Sequence, residues 1–413
     1  MDTTSVAFAG AETETKTVCD LEDWFDLKDL FAKAAEQYEN HSALEALPYI
    51  RGVVHECHSF LNLYQDPSVL FIGQRHDEVP HDLYDWEGAH RPKCTCIELP
   101  TAFHSILGTA LFMFGNLIDK DATLALPGEP ATPIPYWLGA LDVFETGENL
   151  PSRVYGTGCD APEDWRMAII WGRTLVAIAD ANVSQGSGED CSAIFTLDEP
   201  NWPSESPFAA IALRRPPLTR RMTLASASSN DIMVLAMDQF SRGIFHMPQF
   251  SPGATSTLAQ PFSRANELFN IASEVLALAQ KMRSPTEQVF WALWADSVLN
   301  QMKMEGADGE HWRGTINRSR AECWLIAGSV HAEHIENQME EGDSTVLETA
   351  MARQARTSLE KAIGFFEKSG VEEIAMAEAL LSLANITPEG SAKEALYRRV
   401  ELLGIDLESM DVD

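Results

Sequence analysis

The sequence predicts an all-α protein built from antiparallel helix pairs, and three observations support this fold class. Apolar residues recur every three or four positions in the longer apolar segments, whereas the period-2 alternation typical of strands is brief. The helical segments run for roughly fifteen to twenty-five residues between short turns. Ala377, Leu381, Ala384 and Pro388 partly match the second helix of a tetratricopeptide repeat, although no period of about 34 residues runs along the chain. We therefore expect a tetratricopeptide-like or HEAT-like helix-pair superhelix, with an ordinary helical bundle as the alternative.

The N-terminal half is predicted from capping residues, prolines and apolar spacing. Residues 1–20 are rich in Thr and Ala and poor in apolar side chains, which indicates a disordered segment. Acidic residues after Asp20 suit the first turn of a helix, Pro67 ends the second helix, and Pro100 begins the third. We expect an N-terminal helical repeat half over residues 21–182, with helices from residue 21 and over 42–63, 100–119, 136–144 and 163–181.

Residues 183–229 are the least regular part of the chain. They combine a run of Gly and Ser with several prolines, so we interpret them as an irregular insertion or as a join between two halves. Helical periodicity then resumes and predicts a C-terminal tetratricopeptide-like half over residues 230–413. Its expected helices cover residues 230–246, 263–282, 286–304, 309–338, 344–369, 371–386 and 391–403.

The chain is strongly acidic, with 30 Lys and Arg against 62 Asp and Glu residues and a formal net charge of −32. A surface of this sign repels phosphate backbones and anionic membranes, so neither nucleic-acid binding nor membrane association is expected. Basic protein segments are favoured partners for the same reason. The apolar stretch 103–118 is too short to span a bilayer, and residues 1–20 lack the regions of a secretory signal. With 7 cysteines, too few for a disulfide scaffold, the sequence predicts a soluble intracellular protein.

The sequence shows no recognisable catalytic, cofactor-binding or metal-binding motif. Phosphate-binding loops and a nucleophile elbow are missing, so we expect no enzyme and no cofactor. His and Cys residues cluster in three places without the paired knuckles of structural zinc or the His spacing of zinc peptidases. These places are His55 to His58, His90 to His104 and His331 to His334. A helical metal-dependent hydrolase that uses such clusters is an open alternative.

Four arginines stand close together in this acidic chain: Arg214, Arg215, Arg220 and Arg221. Guanidinium groups bind carboxylates through paired hydrogen bonds, so the cluster is a candidate docking site for an acidic segment of a partner protein. The alternative, which we favour, is that these arginines neutralise neighbouring acidic helices of the same molecule.

Two parts of the chain resemble a known family. The first comprises residues 23–31 and 49–57, and its most specific element reads Arg-Gly-Val-Val-His-Glu-Cys. The second comprises later helix pairs, over residues 165–178 and 395–405. Together they resemble the fungal enhancer-of-translation-termination family, whose fission-yeast member negatively regulates a prolyl-hydroxylase-like dioxygenase. We carry over as a family marker, with helix packing as its simplest role, the residues Arg51, Gly52, His55, Glu56 and Cys57.

The resemblance implies a non-enzymatic, all-helical adaptor that binds and regulates a nuclear iron/2-oxoglutarate dioxygenase. Such binding links oxygen supply to transcription-factor turnover or to translation termination. The implied partner is that dioxygenase or another protein with basic segments, and the implied location is the nucleus and cytoplasm. The Lys-rich start usual in the family has no counterpart in residues 1–20, so import driven by this segment is not expected. An acidic chaperone or nuclear-import escort for a basic, ribosomal-type client is the second hypothesis.

Overall fold

The computed structural model describes residues 19–40, 42–70, 98–150, 164–184, 209, 227–248, 263–302, 313–342, 344–370 and 373–403. Within them lie α1 Leu21–Glu39, α2 Ala43–Leu63, α3 Ala102–Lys120, α4 Ile134–Glu148, α5 Trp165–Ser184, α6 Ser229–His246, α7 Arg264–Lys281, α8 Pro285–Gln301, α9 Arg313–Glu340, α10 Ala350–Ser369, α11 Glu373–Asn385 and α12 Ser391–Leu402. Short 3-10 helices occur at Pro67–Leu70, Ala122–Leu124 and Ser344–Glu348. These described residues contain no strand, so the all-α prediction is confirmed.

Capping residues fix where several helices begin and end. The Asp20 carboxylate accepts hydrogen bonds from backbone N–H groups of the first turn of α1, and the Asp23 carboxylate accepts a hydrogen bond from the Asp20 backbone N–H. Ser228 and Asp231 form the same reciprocal box at the start of α6. Such boxes satisfy backbone donors that a helix cannot pair internally. Gly370 ends α10 in the left-handed region at a φ of 76°, which glycine adopts without strain.

The chain divides into two compact units, of which the first comprises residues 1–167 and 199–217. In its described part, consecutive helices pack on one another, α1 on α2, α2 on α3 and α3 on α4. Large side chains fill the space between them, and each is at most 1 % exposed: Trp24, Phe60, Phe103, Phe114 and Phe144. This consecutive pairing is the helix-pair arrangement that the sequence predicts.

Two glycines let α3 and α4 approach closely. A side chain at Gly108 would overlap the Phe144 ring, and a Cβ at Gly115 would lie 2.6 Å from Trp137 Nε1. The two positions are seven residues apart and therefore share one face of α3. Trp137 Nε1–H donates to Asn116 Oδ1 at 3.0 Å beside the second contact, so the polar atom of the buried indole is satisfied.

The structure corrects the prediction that the apolar stretch of α3 is too short for a membrane span. The helix runs over 19 residues and is long and apolar enough, by length and composition, to cross a bilayer. However, 72 % of the window that meets these criteria is buried inside the protein, which is how the core helix of a globular unit is placed.

The second unit comprises residues 168–198 and 218–413. Its later helices pack consecutively from α7 to α12, and α9 also contacts α11. The remaining pair, α5 and α6, meets at Gly172 and Gly243, where an added Cβ would lie 2.6 Å from the Phe240 ring and 2.5 Å from the Ile169 side chain. Residues 1–18 and most of residues 183–229 lie outside the described ranges. The division into two halves at those boundaries therefore stays a prediction.

Candidate protein-binding site

The arginine cluster that the sequence offered as a docking site, Arg214, Arg215, Arg220 and Arg221, lies outside the described residues. Both of its interpretations remain predictions. The marker motif, in contrast, lies within α2 and can be followed residue by residue.

Arg51 of the marker motif fastens α2 to the connection between α3 and α4. Its Nε and Nη2 donate to the two carboxylate oxygens of Glu129 at 2.8 and 2.7 Å, and Nη2 also donates to the Leu124 carbonyl at 2.8 Å. The guanidinium carbon lies 5.3 Å from the centre of the Phe114 ring, within range of a cation–π interaction. Burial and the Glu129 charge raise the pKa of Tyr136, while the Arg51 charge opposes that shift. Arg51 is thus a structural cation whose donors are used within the first unit.

The other marker residues divide between the core and the surface. Gly52 faces α1, where an added Cβ would lie 3.3 Å from the Leu30 side chain. Cys57 is completely buried, and burial raises the pKa of its thiol, with a further contribution from the Glu56 charge. His55 and Glu56 are exposed. The structure therefore gives Arg51, Gly52 and Cys57 packing roles and leaves two side chains accessible.

The His- and Cys-containing clusters do not assemble into a metal site in the part of the chain that is described. Across those residues no group of three or more His, Cys, Asp or Glu side chains could hold a metal ion. His104 is buried and packs edge-on against Phe103 at 5.3 Å between ring centres, and His58 contacts Asn62 within α2. His90, Cys94 and Cys96 lie outside the described residues.

A cavity of about 350 Å³ opens between α8, α9 and α10 of the second unit, and we call it the α8–α10 groove. Leu293 of α8 and Trp324 and Ala327 of α9 supply its apolar wall. Trp324 is half-buried, and its indole Nε1 is enclosed without a hydrogen-bond acceptor among the described residues. The volume lies at the lower end of the range in which proteins hold ligands.

The opposite wall of the groove is polar and basic. Arg353, Thr357 and Lys361 of α10 follow one another at four-residue spacing, so they line one face of the helix, with Gln354 and Ser358 beside them. Arg353 and Lys361 are exposed, and no carboxylate of the described residues lies within 4.0 Å of either cation. The Lys361 ammonium instead lies 3.8 Å from the centre of the Trp324 ring. The groove thus combines an aromatic wall with two cations that no carboxylate of the described part of the chain neutralises.

A buried ion pair one helical turn away holds the three helices in place. Arg320 of α9 donates to Asp296 of α8 through Nε at 2.6 Å and Nη2 at 3.3 Å. Its guanidinium carbon also lies 4.4 Å from the Phe365 ring centre of α10. Arg320 lies four residues before Trp324 on α9, and Phe365 lies four residues after Lys361 on α10. The two cation–π contacts therefore lie one helical turn apart along the α9–α10 interface.

A third contact between α9 and α10 lies one helical turn beyond Trp324, at Gly328. A Cβ at Gly328 would lie 2.6 Å from Leu359 Cγ, so only glycine allows the observed approach of the two helices. The walls of the α8–α10 groove are therefore set by buried contacts on well-packed helices, which suits a preformed binding site.

Sequence reasoning did not identify the groove. Trp324 and Lys361 are far apart in sequence, and no local sequence pattern predicts their contact. The one available signal is the spacing of Arg353, Thr357 and Lys361, which places two cations on one helical face of an acidic chain.

No family model matches the chain, and no curated protein matches it either. Among solved structures, one of the S. pombe nuclear import adaptor Nro1 is similar with a TM-score of 0.52 and 13 % identity, covering 94 % of each chain. Another, in which Nro1 is described as a hypoxic regulator of sterol synthesis and a nuclear import adaptor, has a TM-score of 0.50 and 12 % identity, covering 94 % of this chain and 90 % of that one. These neighbours confirm the resemblance to a fungal regulator, and at this identity the likeness establishes the fold alone.

Proposed function

We propose that this chain is a non-enzymatic helical adaptor that binds a partner protein and acts with it in the nucleus and cytoplasm. The observation that carries the proposal is the fold likeness over 94 % of the chain to Nro1, described as a nuclear import adaptor. Helix pairs packed in series create extended surfaces for partner proteins, and the described residues offer a groove that is lined by two exposed cations. Both features favour a protein-binding function.

The partner that the family resemblance implies is an iron/2-oxoglutarate-dependent, prolyl-hydroxylase-like dioxygenase. By regulating it, the adaptor would influence oxygen-linked transcription and translation termination. Nro1 is described as a hypoxic regulator, which supports a link to oxygen for this chain. In this proposal the oxygen chemistry belongs to the partner, and the adaptor contributes recognition.

A second candidate function is an acidic chaperone or import escort for a basic, ribosomal-type client. The net charge of −32 favours it, because a strongly negative surface attracts and shields a basic protein. The two functions differ in how binding responds to salt, since contacts made mainly through surface charge weaken as ionic strength rises.

The test is affinity purification of the tagged chain from extracts of its host at low and at moderate salt, with bound proteins identified by mass spectrometry. We expect a 2-oxoglutarate dioxygenase that remains bound at moderate salt, and a lower nuclear fraction of that dioxygenase when the adaptor gene is deleted. Recovery of basic proteins that are released by salt would support the escort instead. Failure to retain any protein at moderate salt would overturn the dioxygenase proposal.

A further inference from the structure

We propose that the α8–α10 groove binds a short acidic segment of a partner protein that carries one large apolar side chain. This inference rests on the proposed function, since it assigns a place on the adaptor and a chemistry to the partner. The apolar side chain would enter against Trp324, and carboxylates of the same segment would reach Arg353 and Lys361.

The size and wall of the groove favour a single bulky side chain. A cavity of about 350 Å³ with Leu293, Trp324 and Ala327 on one wall gives an apolar side chain contact on several sides. Aromatic walls of this kind supply large contact area at low entropic cost, because the indole is already held by the packing of α9. A wholly polar peptide would leave this apolar wall exposed to solvent.

The charges at the groove favour an acidic segment. The chain carries 62 acidic residues against 30 basic ones, yet no carboxylate of the described part reaches Arg353 or Lys361. In this acidic chain, two cations that have no carboxylate partner among the described residues form a local positive site. Guanidinium and ammonium groups at such a site select carboxylates from a partner and reject basic segments.

The spacing of the two cations matches an extended peptide. Arg353 and Lys361 are eight residues apart on α10, so about 12 Å of helix axis separates them. An extended chain covers this distance in roughly four residues. The Lys361 ammonium lies 3.8 Å from the centre of the Trp324 ring, so an apolar side chain against Trp324 lies at the Lys361 end of this span. A carboxylate next to it meets Lys361, and a carboxylate about four residues further along the peptide meets Arg353.

The direct test is fluorescence anisotropy of the full chain with a fluorescein-labelled peptide of about ten Glu and Asp residues around one central Phe. We expect binding that is roughly tenfold tighter than that of the same peptide with Gly in place of Phe. The variant R353E/K361E should weaken binding by at least roughly tenfold, since it replaces attraction by repulsion. The variant T357W, which places an indole over the groove without changing charge, should weaken binding to a similar extent.

The matched control is K33E/K120E, which changes the net charge equally at exposed lysines of the first unit. It should leave peptide affinity within about twofold of the wild type, because neither lysine lines the groove and salt screens exposed charges that do not contact the peptide. Equal losses in both double variants, or equal binding of the Phe and Gly peptides, would overturn the assignment. Tighter, groove-independent binding of a Lys version of the peptide would overturn it in favour of the basic client.

Two further measurements separate this inference from the proposed function. If R353E/K361E still retains the salt-resistant partner from extracts, the groove assignment fails while the adaptor function stands. If the wild type retains no such partner, the adaptor function fails, whatever the peptide does. A concentration-dependent dimer that R353E/K361E abolishes would make a second copy of this chain the occupant and overturn the choice of partner.

Discussion

Arg51 in the first unit and Arg353 with Lys361 in the second lie on helices that pack against neighbours on both sides, but they face different surroundings. Arg51 meets both oxygens of Glu129 and a backbone carbonyl, so its donors are used to hold a connection in place. Arg353 and Lys361 line the α8–α10 groove, where Lys361 contacts the Trp324 ring and no carboxylate of the described residues reaches either cation. In so acidic a chain, a cation with an internal carboxylate fastens the fold, whereas a cation without one is available to a partner.

The largest effect is expected at Arg320, the most buried cation among the described residues of the second unit. The substitution R320A leaves Asp296 buried without its counter-ion and should lower the free energy of unfolding by about 3–5 kcal/mol. Urea denaturation measures it. The double variant R320M/D296L, which replaces the pair by apolar groups, should recover most of the loss. If R320A lowered the free energy of unfolding only as much as a surface substitution does, the Arg320–Asp296 pair would be solvated. Burial would then not distinguish structural cations from those available to a partner.

The substitution R51M should lower the free energy of unfolding by about 1–3 kcal/mol, because it removes charge-assisted hydrogen bonds from a half-buried carboxylate. Hydrogen exchange should increase chiefly in the connection that contains Leu124 and Glu129. The variant R51K keeps the charge but not the paired geometry, so we expect an intermediate loss. Unchanged exchange there in R51M would contradict the fastening role.

The variant R353M/K361M should change the free energy of unfolding by no more than about 1 kcal/mol, because both side chains are exposed and the interaction lost is the contact of Lys361 with the Trp324 ring. The same variant should lose affinity for the acidic Phe peptide. This combination separates binding from stability. A destabilisation equal to that of R51M would end the comparison, since the cations of both units would then be structural.

The smallest effect concerns the start of α6 and depends on pH. Hydrogen bonds from the backbone and hydroxyl of Ser228 hold the pKa of Asp231 below its ordinary value of 3.8. A carboxylate with a lowered pKa stabilises the fold at pH values above 3.8, and this contribution disappears as the pH falls through the folded-state pKa. At neutral pH, the substitution D231N should lower the free energy of unfolding by about 0.5 kcal/mol.

The measurement for Asp231 is the melting temperature of both proteins over a pH series. The difference between wild type and D231N should shrink as the pH falls below about 4. The variant D238N, an exposed carboxylate in the middle of the same helix, is the matched control and should show little difference at any pH. If the difference in melting temperature between wild type and D231N persisted in acid, the capping interaction would not depend on the charge of the Asp231 carboxylate.

The helices were predictable because their signals are local. Apolar spacing predicted α12 over residues 391–403, and the helix runs over Ser391–Leu402. The predicted start of α9 at residue 309 lies outside the described residues, which resume at Arg313 within the helix, so that boundary stays a prediction. The groove and the Arg51 contact were not predictable, since Arg51 and Glu129 are 78 residues apart and Trp324 and Lys361 are brought together only by packing. The resemblance identified the fold and the marker motif, but it did not tell which marker residues face inward.

Among the described residues, two buried thiols provide a built-in probe, one in each unit. Cys57 lies in the first unit and Cys323 in the second, and burial raises the pKa of both above that of a free thiol. Alkylating and oxidising reagents attack the thiolate, so neither sulfur reacts while its helices stay packed. The modification rate at each cysteine therefore reports how often its own unit opens, and mass spectrometry can record the two rates in one experiment.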